Sequence, residues 1–128
     1  MRILSFFLVL WFCNPVHASD PNWVNCVDVK EEDKPLVFKV SATQLGVAFE
    51  GVMKVPSSGY TYALEQENVE GHTMYMRLTL VPPAMGLTVI SELNISEQLE
   101  NLPQNIRSVH IHVDKKFNWG VDEMLCSF

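Results

Sequence analysis

Apolar side chains recur at every second position along most of the chain, and this period most limits what it can fold into. Between Leu45 and Val55, Leu45, Val47, Phe49, Gly51, Met53 and Val55 alternate with Gly46, Ala48, Glu50, Val52 and Lys54. Successive side chains of an extended strand point to opposite faces, so the stretch predicts a strand with one face in a core and the other in water. Pro56-Ser57-Ser58-Gly59 ends it, because Pro withholds a donor and Gly permits a turn. The same alternation predicts a strand over Tyr60 to Gln66, a turn at Asn68 to Gly71 and a partner strand over His72 to Val81. Leu36 to Ser41 follows the pattern with Leu36, Phe38 and Val40 inward. Shorter strands are expected at Trp23 to Val29, Leu87 to Leu93, Arg107 to Val113 and Val121 to Cys126. A helical turn is expected only at Ser96 to Leu102, with Asn94 or Ser96 as cap and Pro103 beyond its end.

Seven or eight short strands separated by turn signals, with one short helical turn, predict an all-β domain. Two sheets that bury their apolar faces against each other make a β-sandwich, immunoglobulin-like or another Greek-key arrangement. A closed barrel is the rival solution.

The first residues read as a secretory signal peptide, 1–18. Arg2 precedes an apolar run from Ile3 to Cys13, and Val16-His17-Ala18 forms a small-residue exit. The run falls well short of the roughly 20 residues that a membrane-spanning helix needs, and no later segment approaches that length. The expectation is one domain over 19–128, secreted or periplasmic, without a membrane span. Outside the signal, eight Lys and Arg face 15 Asp and Glu, and the largest basic cluster is Lys115-Lys116. That balance argues against nucleic-acid partners and anionic membranes.

Cys26 and Cys126 are the two cysteines left in this domain. In an oxidising compartment an even pair is expected to close. A loop of that size is stabilised by about 4.7 kcal/mol in the chain-entropy model.

Ser108 to Asp114 reads S-V-H-I-H-V-D. On a strand His110, His112 and Asp114 share a face, with consecutive members about 7 Å apart. Val109, Ile111 and Val113 take the opposite, buried face, so the histidines fall on the solvent row. A transition-metal site on that row would need a further convergent ligand, His72 being one option. His72, Met74 and Met76 also share a face, but Leu78 and Leu80 continue it, which makes the methionines core filling.

No G-x-S-x-G, H-E-x-x-H or phosphate-cradling glycine loop occurs, and no cysteine is left for a Cys-His pair. Ser91, Ser108, His110 and Asp114 supply the residue types of a hydrolase triad, but three near neighbours alternating across a strand do not converge. No cofactor and no enzymatic activity is expected. Asn94-Ile95-Ser96 is a glycosylation sequon in an expected turn region.

The segment from Pro56 to Ile90 places Gly59-Tyr60 at a strand entrance, then a hairpin, an L-x-L strand at Leu78 and Leu80, Pro82, Gly86 and another strand. In that order it resembles the PrcB-like domains, secreted accessory subunits that support an extracellular protease complex. The resemblance implies a non-enzymatic module that binds another extracellular or periplasmic protein, in association with an extracellular protease or its inhibition. It leaves out the cysteine pair and the late F-N-W-G-V-D. From the residues themselves the expected protein contacts are Met85 in the P-P-A-M-G loop and Phe117, Asn118 and Trp119 in the late loop, since aromatic and Met side chains anchor interfaces.

Overall fold

The alternation is realised as eight strands in a computed structural model, which describes residues 23–31, 35–43, 46–100 and 105–128. They are β1 (Trp23–Asp28), β2 (Pro35–Thr43), β3 (Gly46–Val55), β4 (Thr61–Glu70), β5 (Thr73–Val81), β6 (Ser91–Glu100), β7 (Ser108–Asp114) and β8 (Glu123–Ser127). The signal peptide and the C-terminal part of the expected helical turn lie outside the described residues.

All eight belong to one sheet in the order β4-β5-β7-β8-β1-β2-β3-β6. The sheet curls until its two edges approach, which makes it nearly closed and barrel-like in place of two facing sheets. What decides between these forms is the pairing of β5 with β7, which is parallel and joins Met74 to Val109 and Met76 to Ile111. It continues the early hairpin into the late strands without a break. The other neighbouring strands pair antiparallel.

The expected helical turn is a strand. Ser91 to Glu100 pairs with β3 along its whole length, from Val55↔Ser91 to Gly46↔Glu100. Ile95 and Leu99 have helical spacing, but the open edge of β3 offers ten residues of backbone partners, and tertiary pairing outweighs so weak a local preference. The strand expected from Leu87 begins only at Ser91, and 87–90 is irregular.

Inside the curl lie Phe38, Phe49, Met74, Met76, Leu78, Ile95, Ile111 and Met124, each no more than 2 % exposed. Burial of each such side chain contributes about 1.5–3 kcal/mol before the entropy cost of ordering it. Gly51 faces Phe38 across β2 and β3. A Cβ on Gly51 would meet Phe38 Cδ2 at 2.3 Å, so glycine is what lets the ring lie over the backbone.

The Cys26–Cys126 disulfide forms across β1 and β8, with Cα atoms 4.2 Å apart and both residues fully buried. β1 and β8 stand in the middle of the strand order, with four strands on each side of their junction. No helix among the described residues is long and apolar enough to cross a membrane.

Opposite the disulfide, β4 and β6 do not pair through their backbones, and Tyr62 bridges them. Its hydroxyl accepts a hydrogen bond from Ser96 N–H at 3.2 Å and lies 3.1 Å from Ser96 O and 2.8 Å from Glu97 Oε2, the two acceptors for its proton. Burial raises the pKa of this phenol above its ordinary value, which keeps the proton in place.

Candidate functional site

Strand directions bring the turns at 29–31, 56–60, 82–90 and 115–122 to one end of the barrel. Thr61 pairs with Val81, Val55 with Ser91, Asp28 with Met124, and β7 runs parallel to β5. This loop end gathers the exposed apolar side chains. Among the described residues nine large hydrophobics are exposed, and eight of them lie here, Phe128 being the exception. Met85 is 90 % exposed, Leu87 73 %, Ile90 66 % and Val37 72 %, with Val29, Val81, Val89 and Trp119 around them.

The turn 56–60 holds its neighbours. Ser58 N–H donates to Leu87 O and Leu87 N–H donates to Ser58 Oγ, both at 3.1 Å. Gly86 allows this approach, since a Cβ there would meet Ser58 O at 2.4 Å. Val89 N–H closes a tight turn onto Leu87 O at 2.8 Å, and Ser91 Oγ donates to Val89 O. The backbone N–H and C=O of Leu87 and Val89 are thereby engaged while their side chains stay exposed. On the other side Tyr60 meets Phe117 edge-on at 6.1 Å, and Phe117 lies 4.6 Å from Trp119.

Charge fastens the late loop. Lys115, whose side chain is nearly buried, hydrogen-bonds Asp122 Oδ1 and donates to Val121 O at 2.9 Å. Lys30 reaches Asp122 Oδ2 at 2.9 Å from the neighbouring turn. The Lys115 and Lys30 hydrogen bonds lower the Asp122 pKa from 3.8 to about 2. Beside the loop a cleft of about 460 Å³ opens among Leu36, Val37, Val52, Lys54, Phe117 and Trp119.

Of the expected contacts, Met85, Asn118 and Trp119 are exposed and Phe117 is half-buried, packed against the core. The fold brings both of their loops to the same end. Leu87, Val89, Ile90 and Val37 belong there as well and were not anticipated. For Leu87, Val89 and Ile90 the signal is the run L-T-V-I after Pro and Gly, four residues without a polar alternation partner except Thr88.

The histidine row lies elsewhere, on the outer face of β7. His110 is half-buried, with Nε2 3.0 Å from Glu123 Oε2 and its ring edge-on to Tyr75. His112 is exposed between Arg77 and Glu123 in the ladder. Asp114 meets Arg77 Nη1 at 3.5 Å, and the Arg77 Nε donates to Glu67. His72 has the inward parity of Met74, opposite to the pair, and its Nδ1 lies 3.0 Å from Asn105 O. A carbonyl only accepts, so that nitrogen carries the proton. Among the described residues no group of three or more His, Cys, Asp and Glu is placed to hold a metal ion. Ser108 Oγ bonds Thr73 Oγ1, while Ser91 is on β6 at the loop end, so the triad-like set does not meet. Asn94 of the sequon is exposed on β6, a strand rather than a turn.

Compared with protein-family models, curated proteins and solved structures, the chain matches none.

Proposed function

We propose that the protein is an extracytoplasmic, non-enzymatic binding module that docks another protein through its loop end. The observation that carries this is the gathering of eight exposed large hydrophobics at or beside one end of the barrel, where the turns 56–60, 82–90 and 115–122 are tied together through Ser58 and Tyr60. Scattered apolar side chains are ordinary on a surface, whereas a contiguous set marks an interaction site. The bracing lowers the ordering cost on association, and the adjoining cleft has room for an anchoring side chain. Acidic Asp28, Asp122 and Glu92 ring this end, and the chain carries a net charge of −6, which favours a protein over an anionic lipid surface. The buried disulfide accords with an oxidising compartment.

The likeness of Pro56 to Ile90 to PrcB-like domains makes an extracellular protease complex the first partner class to try. Gly59 and Gly86, two of the positions in that likeness, are where the turn 56–60 and the loop 82–90 come together.

Capture from the native extracellular or periplasmic fraction tests the proposal, with elemental analysis of the same preparation. Wild-type protein is expected to retain one specific partner that a Leu87→Asp/Ile90→Asp variant loses while keeping its fold. Equal capture by that variant, partition of the wild type into phosphatidylcholine vesicles, or stoichiometric zinc or copper lost with His110→Ala/His112→Ala would overturn it.

A further inference from the structure

The open seam between β4 and β6 is a second surface, running along the side of the barrel from the loop end. Each edge strand is ten residues long. Both start at the loop end, so they run parallel to each other. At Ser96 the Tyr62 hydroxyl engages both backbone groups, standing where a neighbouring strand's peptide would be. Backbone groups two residues away on the same strand point the same way, so those of Asn94 and Gln98 face the gap, and no strand among the described residues takes them.

The side chains of the seam share one sign. Glu65, Glu67 and Glu70 lie on β4, Glu92, Glu97 and Glu100 on β6, and neither strand contains Lys or Arg. Glu67 is held by Arg77, which Glu65 also faces in the ladder, Glu92 faces Lys54, and Glu97 takes the Tyr62 hydroxyl. Glu97 occupies the inward register opposite Phe49 and is nevertheless exposed, because the barrel is open at that point. Half-buried Tyr62, Leu64, Leu93 and Leu99 flank it as an apolar floor.

We infer that the seam is a strand-acceptor groove for an extended, Lys- or Arg-bearing segment of a partner protein. A strand running antiparallel to β4 is antiparallel to β6 too, so one segment that displaces the Tyr62 hydroxyl from Ser96 can hydrogen-bond to both edges. A row of cations on its outer face would meet Glu65 and Glu100, whose ladder positions face outward, while Glu97 lies on the inner side. Pairing with a second copy of the chain is disfavoured, because it would set acidic edge against acidic edge. The inference shares with the proposed function only that the partner is a protein, and the Leu87→Asp/Ile90→Asp variant should retain it.

A labelled alternating Lys-Thr peptide, matched in length to β6, provides the test by fluorescence anisotropy and hydrogen exchange. The expected result is saturable binding that protects amides of β4 and β6. It weakens about tenfold between low and physiological salt, and about tenfold in Glu65→Gln/Glu100→Gln. A peptide of equal charge with proline at alternate positions should not bind, because proline lacks the N–H that the ladder needs. Equal binding of the proline peptide or of a Glu-Thr peptide, protection outside the two edges, or no binding by the Lys-Thr peptide would each overturn the inference.

Discussion

Ser58 and Leu87 bind each other twice, once through the Ser58 backbone N–H and once through the Ser58 hydroxyl. The pair fixes the loop 82–90 to the turn 56–60 while Leu87 itself stays exposed. Ser58→Ala should lower global stability by less than about 1 kcal/mol, since water can replace an exposed hydrogen bond. The same change should speed hydrogen exchange at the Leu87 amide and weaken partner capture. Gly86→Val, which drives a side chain into Ser58 O, should do so more strongly.

Asp122 makes the loop end sensitive to acid. Its pKa is depressed in the fold, so its contribution is complete above the unfolded value of 3.8 and disappears as pH falls through the folded value of about 2. Half-exposure of its side chain keeps the effect on global stability small. In a Trp23→Phe background, Trp119 fluorescence should report local loosening across that window. Asp122→Asn should be loosened already at neutral pH, and its signal should be flat between the two values.

Removing the Cys26–Cys126 bond should cost about 2–5 kcal/mol, read as a lower denaturant midpoint of Cys26→Ala/Cys126→Ala against the oxidised wild type. A midpoint unchanged by the substitutions would show that the pairing of β1 with β8 holds without it.

Gly51→Ala should destabilise by about 1–3 kcal/mol, because the Phe38 ring must leave its place over the backbone. Shortening the ring residue in the double variant Gly51→Ala/Phe38→Leu should recover part of the loss. A double-mutant cycle on denaturant unfolding measures the coupling, and strict additivity would place the two residues out of contact.

Strand by strand, much of this fold is legible in the chain, because alternation is local. Val47, Phe49 and Met53 point inward as their spacing predicts, and so do Met74, Met76 and the valine and isoleucine partners of His110. Strand order is another matter. The parallel contact of Met74 with Val109 joins distant segments, and nothing in either segment's period encodes its partner. β6 was obscured by Glu97, a carboxylate at an inward position, which breaks the alternation where the sheet leaves a gap. Met85 and Trp119 stood out singly as exposed-looking residues. Their meeting at one end depends on strand direction, and Leu87, Val89 and Ile90 were hidden in what resembles the start of a strand.

The disulfide sits at the midpoint of the strand order and the gap lies across the barrel from it. Mechanically the molecule is two four-stranded leaves with a covalent hinge at their back. Admitting one more strand at the front would widen the circumference by about 4.8 Å. With the hinge locked, the leaves can meet that demand by swinging apart but not by sliding past each other.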